Sequence, residues 1–249
     1  MNVNLFAANI SARLNQPVDD WLKYFPAERR EKILAYRFNA DRNRTLWAEL
    51  LARYAVAEKF SCPLEKVHVY RDATGKPHIA ELPVKISLAH AGDWVVCSVG
   101  DVKSGVDVEF DSTNALEIAE SFFLPSEFKK IISLPKNLHE RQFLIYWTLK
   151  ESRFKLTGDE NFLQADCEKI LAGNGKIIGK IFFLRDGAVV GVCTYQNQGG
   201  QLNETCPVVP NPVGNLFGLS EYAGRRSLQH AFPFYTGRRY RHESTCRRV

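Results

Sequence analysis

Two carboxylates stand two positions apart in a short apolar segment, Gly105-Val-Asp-Val-Glu-Phe110. The alternation of apolar and charged residues predicts a β-strand, whose side chains point in turn to opposite faces. The apolar side chains then share one face, and Asp107 and Glu109 share the other. Because like charges on one face repel each other, this pair needs a positive partner, for which a hard divalent cation such as Mg²⁺ is suited. A strand with one solvated face explains the pattern equally well.

A second group of charged residues lies in Trp147-Thr-Leu-Lys-Glu-Ser-Arg-Phe-Lys155, within a segment whose spacing predicts a helix over 142–156. Gly158 is placed to act as the C-cap of that helix. Glu151 and Lys155 are four residues apart and therefore share one face of the helix. They form either a surface ion pair of little consequence or part of a three-carboxylate metal site in which Lys155 grips a phosphate.

Several further elements are needed to hold these side chains in place. The apolar spacing predicts a second long helix over 44–60, a shorter helix over 115–123, and one from an N-cap at Ser126 to about 132. Strands are predicted strongly over 94–99, 105–110, 177–184 and 188–195, and more weakly near 3–6, 66–70 and 84–89. The loop at Gly100-Asp101 predicts that the first two strong strands form a hairpin.

The order of these elements repeats once along the chain. Thr74-Gly75-Lys76 and Asn174-Gly175-Lys176 read as turns, and each follows a long helix and precedes a valine-rich strand. The repeat predicts an α+β protein, a pseudodimer of two similar α/β halves related by a pseudo-twofold axis. The predicted halves are residues 1–103 and 104–195.

The composition is typical of a soluble globular protein. Hydrophobic residues make up 45% and charged residues 24% of the 249 residues, which excludes a collagen, a coiled coil or a disordered chain. No stretch of roughly 18 apolar residues predicts a membrane span, and we expect no signal peptide at the first residues. The six cysteines show no CxxC or paired His/Cys spacing. They predict buried thiols of a cytoplasmic protein rather than a disulfide frame or a zinc site.

The net charge of +5 is concentrated in residues 196–249, which hold 7 Arg, 3 Glu and no Lys. This change of composition predicts a boundary near residue 195 and an extra basic tail beyond it. A basic arm for an acidic partner or nucleic acid fits the tail, as does a poorly ordered extension. The lack of helical or strand periodicity favours the extension, so we expect neither nucleic acid nor a membrane as a partner.

The charged motifs resemble those of the 4′-phosphopantetheinyl transferase superfamily, in its larger, surfactin-synthetase-activating type. The carboxylate strand, followed after about forty residues by the lysine- and glutamate-bearing helix, is similar to the paired signature of that family. Three further segments resemble motifs of the family: Asp41-Arg-Asn-Arg44-Thr45, Gly75-Lys76-Pro77 and the stretch 86–96 with His90. The resemblance extends over residues 3–195 and implies a monomeric pseudodimer with its active site at the interface between the halves.

The resemblance implies that the protein transfers the 4′-phosphopantetheine arm of coenzyme A to a serine of an apo acyl or peptidyl carrier protein and releases 3′,5′-ADP. Asp107, Glu109 and Glu151 would hold Mg²⁺, with Mn²⁺ as an alternative. The catalytic roles would fall to Glu127, as the base that deprotonates the serine, and to Glu151 and Lys155. The residues implied to contact coenzyme A are Arg29, Lys32, Arg44, Thr45, Lys76, Pro77, His90, Lys150 and Lys155.

One departure from the family pattern is Ala89, which stands where a serine is usual and lacks its hydroxyl donor. The missing hydrogen bond is expected to weaken coenzyme A binding by about 0.5–1.5 kcal/mol.

A further hypothesis concerns the carrier protein, whose acidic helix would dock on the apolar residues of 112–124 and on Lys129, Lys130 and Lys136.

Three other functions stay open at this point. One is a Mg²⁺-dependent phosphoester or phosphotransfer enzyme that needs no carrier protein. Another is a degenerate, inactive member of the family. The third is a protein without enzymatic activity that binds nucleic acid through its tail.

Overall fold

The first half of the chain folds as a strand, three helices and two hairpins. The structure, a computed structural model, describes residues 2–80, 82–196 and 201–203. In chain order the elements are β1 (Asn2–Asn9), α1 (Asp19–Leu22), α2 (Ala27–Leu34), α3 (Asn39–Phe60), β2 (Val69–Arg71), β3 (Pro77–Ile79), β4 (Lys85–Ala91) and β5 (Trp94–Gly100). The long helix predicted over 44–60 is confirmed as α3.

The second half has the same kinds of element and carries the second long helix. The chain continues as β6 (Ser104–Glu109), α4 (Ala115–Phe122), α5 (Pro125–Ser133), α6 (His139–Thr157), α7 (Cys167–Leu171), β7 (Ile177–Phe183), β8 (Val189–Tyr195) and β9 (Gln201–Leu202). Gly158 ends α6 with a φ of 74°, and its N–H donates to the Phe154 carbonyl. The predicted C-cap and the α+β class are therefore confirmed.

The start of α5 differs from the prediction. Leu124 is the N-cap and Pro125 is the first helical residue, so the N-cap expected at Ser126 is wrong. The fixed φ of proline suits the first helical position, where its missing N–H removes no hydrogen bond. The Leu124 N–H donates instead to the side chain of Glu127, at 3.2 Å.

The strands form two main sheets and a small ribbon. The first sheet has the order β4-β5-β1-β9, the second has the order β6-β8-β7, and β2 pairs with β3. The predicted hairpin between β5 and β6 is wrong, because β5 pairs with β1 and β4 whereas β6 pairs with β8. The residues between β5 and β6 instead lead from one sheet to the other. The hydroxyls of Ser98 and Ser104 hydrogen-bond across this crossing at 2.9 Å.

Three apolar cores hold these layers together. The first lies between α3 and the first sheet and includes Leu51 and Val95. The second lies between the two sheets and includes Val96 from β5 and Val106 from β6. The third, around Leu149, lies between α6 and the second sheet. Neighbouring residues of β5 thus enter different cores, as the alternation of side chains in a strand requires.

The cysteines of the described residues are free thiols. Cys97, Cys167 and Cys193 are buried, and Cys62 is half-buried. Burial raises the pKa of the Cys193 thiol to about 12. The remaining two cysteines, at 206 and 246, lie outside the described residues.

The last described residues belong to the segment that the sequence assigns to the basic tail. Gln201 and Leu202 form β9 and pair in parallel with Asn2 and Val3 of β1. The prediction of a poorly ordered tail falls mainly on residues 197–200 and 204–249, which lie outside the described residues. Within the described residues, none of the helices combines the length and apolar character needed to cross a membrane.

Candidate active site

The carboxylates predicted to act together lie where β6 faces α6. Asp107 and Glu109 are on β6, and Glu151 and Lys155 are on α6. A glycine makes this approach possible, because a Cβ atom at Gly105 would overlap the backbone carbonyl oxygen of Ser152 in α6. Only a residue without a side chain allows the helix backbone so close to the strand. The glycine of the carboxylate motif therefore sets how near the two pairs of charged side chains come.

A short ion pair joins the strand to the helix at this point. The Lys155 ammonium donates to Asp107 Oδ1 at 2.6 Å, and the two side chains are 29% and 8% exposed. The other carboxylate oxygen, Asp107 Oδ2, is buried and has no hydrogen-bond partner. A buried oxygen left unpaired is unfavourable, so the site retains the capacity to bind one more positive group.

The electrostatics of the three carboxylates are coupled. Burial, together with the negative charge of Asp107, raises the pKa of Glu109 to about 7 and raises the pKa of Glu151. Burial also raises the pKa of Asp107, although the nearby Lys155 ammonium opposes this shift. The side chain of Trp147 hydrogen-bonds to Glu109 and lowers its pKa somewhat. Three carboxylates thus share one lysine, and their ionisation is disfavoured until another positive group binds.

The first half of the chain brings positive side chains to the same place. The Lys76 ammonium donates to the Lys155 carbonyl in the last turn of α6, at 3.2 Å. The pKa of His90 is lowered by desolvation and by the positive charges of Lys155 and Arg44. Arg44 donates to the Gly92 carbonyl at 2.8 Å and pairs with Asp41 at 2.9 Å. Lys76 therefore contacts the backbone of α6 at Lys155, and His90 lies within electrostatic range of Lys155 and Arg44, while their roles towards coenzyme A stay predictions.

Asp72, a residue not expected from the sequence to be functional, holds the turn that carries Lys76. Asp72 Oδ1 accepts hydrogen bonds from the N–H groups of Thr74 and Lys76 and from the Thr74 hydroxyl. Asp72 Oδ2 lies 2.7 Å from His78 Nε2. Gly75 sits in this turn with a φ of 83°, which favours glycine. The Asp-x-x-Gly spacing of a turn is the signal that identifies Asp72 from sequence.

The other residues implied to contact coenzyme A have different surroundings. Arg29 pairs with the buried Glu49 at 2.8 Å, while its Nη2 atom is buried without a partner. Lys32 is exposed and pairs with Glu28. Thr45 is buried in α3, whereas Pro77 is half-buried at the start of β3. The structure records no contact between these four residues and the carboxylates.

Two implied residues do not reach the site at all. Glu127 and Lys150 pair with each other at 2.8 Å, with side chains 1% and 0% exposed. The roles of Glu127 as a base and of Lys150 as a phosphate ligand therefore require correction, because neither side chain is open to a substrate. Ala89 is also directed inwards, into the core between the two sheets, so its missing hydroxyl removes no donor from the surface.

The three carboxylates are of the type that binds a divalent cation, but they are not arranged around a common point. No three His, Cys, Asp or Glu side chains of the described residues already form a metal-binding group. Three carboxylates whose pKa values are raised by burial, one with an unpartnered buried oxygen, nevertheless supply the hard oxygen ligands that Mg²⁺ prefers. In the described conformation, the Lys155 ammonium lies on Asp107 and partly balances its charge.

The α+β fold places the carboxylates of β6 and α6 beside Lys155, with Lys76 of the first half on the last turn of α6. Carboxylates and lysines in such an arrangement are typical of proteins that bind a phosphorylated ligand and a cation. Comparison with protein families agrees with this class. Residues 15–100 match the family model of the 4′-phosphopantetheinyl transferase N-terminal region, and residues 103–193 match that of the 4′-phosphopantetheinyl transferase superfamily. Together the two ranges cover more than half of the chain, and the chain belongs to this superfamily.

Individual relatives support the assignment. The chain is 36% identical over 153 residues to the 4′-phosphopantetheinyl transferase psf-1 of Bacillus pumilus, covering 57% of this chain and 66% of the relative. It is 28% identical over 139 residues to the transferase Sfp of Bacillus subtilis, covering 55% and 62% of the two chains. A third relative is the transferase HetI of Nostoc, at 33% identity, with 55% of each chain covered. The matches thus span less than two thirds of these relatives' lengths.

Proposed function

We propose that this protein transfers the 4′-phosphopantetheine arm of coenzyme A to a serine hydroxyl of an apo acyl or peptidyl carrier protein and releases 3′,5′-ADP. The observation that carries the proposal is the meeting of Asp107, Glu109, Glu151 and Lys155 at the β6–α6 contact. This arrangement occurs in a chain that belongs to the corresponding superfamily. Lys76 and His90 add positive or neutral donors from the other half of the chain.

The reaction replaces the pyrophosphate bond of coenzyme A by a phosphodiester bond to the carrier serine. The serine oxygen forms a bond to the β-phosphorus of coenzyme A, the bond from that phosphorus to the 3′,5′-ADP oxygen breaks, and the serine proton is released. No protein nucleophile is needed. Negative charge accumulates on the transferred phosphate and on the leaving nucleotide, and Lys155 is placed to stabilise it.

Asp107, Glu109 and Glu151 are proposed to hold Mg²⁺, with Mn²⁺ as an alternative. The cation would neutralise pyrophosphate oxygens, a role that phosphoryl transfer generally requires. The support comes from the oxygen donors and from the unpartnered Asp107 Oδ2. On binding, Lys155 would exchange its contact with Asp107 for one with the phosphates.

The proposed site lies between two halves related by a pseudo-twofold axis. In support, the first three strands of the first sheet follow the order β4-β5-β1 and those of the second sheet follow β7-β8-β6. In each half the central strand, β5 or β8, is the one that comes last along the chain, and one long helix packs on the sheet. We extend the proposal to a monomeric, cytoplasmic protein, as the pseudodimer and its buried thiols favour.

The carrier protein is proposed to dock on what we name the α4–α5 surface, formed by Leu116, Phe122, Lys129, Ile132 and Lys136. The three apolar side chains are 40%, 51% and 49% exposed. The two lysines supply positive charge for an acidic carrier helix. Lys130, also expected to take part, is already paired with Glu168 of α7 at 2.8 Å.

The proposal is tested by the intact mass of an apo carrier protein after incubation with this protein, coenzyme A and Mg²⁺. The expected result is a gain of one phosphopantetheine per carrier, with 3′,5′-ADP in equal amount. Asp107→Asn and Glu151→Gln should abolish the gain, while Glu117→Gln on the exposed face of α4 should preserve it. A folded protein that modifies none of several acyl and peptidyl carriers would refute the proposal.

A further inference from the structure

A buried ion pair lies outside the candidate active site and is not explained by the proposed reaction. Glu127 at the start of α5 and Lys150 in α6 approach to 2.8 Å, and both side chains are almost completely buried. Charges are rarely buried unless they are paired and fully hydrogen-bonded. The surroundings of this pair therefore indicate what it does.

The pair satisfies four backbone groups from two segments, the start of α5 and the segment 163–167. The Lys150 ammonium donates to the carbonyls of Leu163 and Ala165, at 2.8 and 2.7 Å, in addition to Glu127. An ammonium has three donors, so all of them are used. The Glu127 carboxylate accepts from the Cys167 N–H at 2.9 Å and from the Leu124 N–H at 3.2 Å.

We propose that Glu127 and Lys150 are positioning residues that fasten α5 and the segment 163–167 to α6, and so fix the α4–α5 surface on which the carrier protein docks. This inference rests on the proposed function for the identity of the docking partner. Neither residue touches coenzyme A, the cation or the reacting serine. Their effect is on the affinity for the carrier and not on the chemical step.

The packing decides which element depends on this pair. α6 is held by an apolar core and by its close backbone contacts at Gly105 and Gly191, so it keeps its place without Lys150. α5 has only nine residues, of which only Glu127 and Ile131 are buried. Phe128 adds only a partly buried contact, so the ion pair is a large part of the buried attachment of α5. Loss of the pair loosens α5 and leaves the carboxylates on β6 and α6 where they are.

The test compares Glu127→Gln, Lys150→Met and the double variant Glu127→Met/Lys150→Met in the full chain. Glu160→Gln is the control, because Glu160 is an exposed residue close to the segment 163–167. Three quantities are measured: amide hydrogen exchange over 124–133 and 163–167, Mn²⁺ affinity by electron paramagnetic resonance, and the separate KM values for carrier and coenzyme A.

The three variants of the pair should exchange faster in both segments and should raise the carrier KM roughly tenfold, while Mn²⁺ affinity and the KM for coenzyme A stay within about twofold. The double variant should not recover, because two N–H and two carbonyl groups remain unsatisfied in it. Glu160→Gln should leave all quantities unchanged.

Two results would overturn the inference. One is a fall in kcat for Glu127→Gln with loss of a limb of the pH profile, which would return Glu127 to the role of a base. The other is protection of both segments that equals that of the wild type. Hydrogen exchange and Mn²⁺ affinity require no transfer, so they test the fastening even if the wild-type protein transfers nothing, which would refute only the proposed function and the docking partner.

Discussion

The two long helices lie on their sheets in different ways. α3 carries small buried residues, among them Ala48, Ala52 and Ala55, and faces valines of β5. On α6 the buried residues are larger, and the space is made in the sheet by Gly105, Gly179 and Gly191. In the first half, small residues of the helix allow it to lie close to its sheet. In the second half, glycines of the strands do so. A glycine in the strand leaves the helix side chains free to carry function.

Each long helix also holds a charge, at most 1% exposed, that anchors a preceding helix, but these two charges have opposite signs. Glu49 of α3 binds Arg29 of α2 and also Arg53 of its own helix, at 2.8 and 3.5 Å. Lys150 of α6 binds Glu127 of α5 and backbone carbonyls, with no second acidic side chain recorded. The anchor in the first half therefore has a reserve partner, and the anchor in the second half has none.

The largest effect is expected at the glycine beneath α6. Gly105→Ala would place a methyl group on the Ser152 carbonyl and should lower the free energy of unfolding by about 3 kcal/mol or more, because the helix backbone must move. Gly175→Ala is the matched control, since a Cβ there meets no atom within 4 Å and should change stability by less than about 0.5 kcal/mol. Urea unfolding measures both. Equal midpoints would show that the strand glycine does not set the helix position.

The next effect separates the two buried anchors. Lys150→Met leaves the Glu127 carboxylate buried and unpaired, which should reduce the free energy of unfolding by about 3–5 kcal/mol. Arg29→Met should reduce it by about 1–2 kcal/mol, because Glu49 keeps Arg53 and because Arg29 is already 15% exposed. If both variants unfolded at the same urea concentration, the reserve partner in the first half would be without effect.

A third effect depends on pH and concerns only the second half. The pKa of Glu109 is raised to about 7, so between about pH 4.5 and about pH 7 the folded protein keeps a proton that the unfolded chain has released. Stability from this group therefore falls as the pH rises through that window. Cation affinity should rise over the same pH range, because a cation must displace the proton of Glu109.

Mn²⁺ titration followed by electron paramagnetic resonance should show an affinity that weakens by up to about tenfold per pH unit below about pH 7. Glu109→Gln should raise the melting temperature of the metal-free protein at about pH 8, and it should weaken Mn²⁺ binding. Glu117→Gln, an exposed change on α4, should do neither. An affinity that is flat between about pH 5.5 and about pH 7.5 would contradict the coupling of these carboxylates.

The comparison also shows which features were predictable from sequence. The carboxylate strand and the helix of Glu151 and Lys155 were predicted because their periodicity is local, and the structure brings them together. The β5–β6 hairpin was wrong because strand pairing between distant segments outweighed the local turn signal. A residue pattern tells how far apart two side chains are along a helix, but not what covers them.

Glu127 and Lys150 illustrate that last point. Both residue types are usually exposed, and both match motif positions of the family, so a substrate-facing role was the natural interpretation. Their burial depends on contacts with Leu163, Ala165 and Cys167, which no local pattern links to α5. The role of Asp72 was missed although its turn is visible in the sequence. The turn directs Lys76 to the backbone of α6, and this distant contact has no local pattern.

The smallest expected effect tests how the first half contributes to the site. Asp72→Ala removes the acceptor for the Thr74 and Lys76 N–H groups, so the turn that directs Lys76 towards α6 becomes looser. If the protein is the proposed transferase, the KM for coenzyme A should rise roughly two- to fivefold with kcat and the carrier KM unchanged.

Steady-state kinetics with each substrate varied in turn measures this split. Asp72→Asn is the conservative comparison and should lie between Ala and the wild type, because its amide oxygen still accepts a hydrogen bond. Asp20→Asn, an exposed change on α1, should leave every constant unchanged. A change in kcat for Asp72→Ala, without one in the KM for coenzyme A, would mean that the turn acts on the chemical step. In that case both halves of the molecule, and not α6 alone, would place the groups that react.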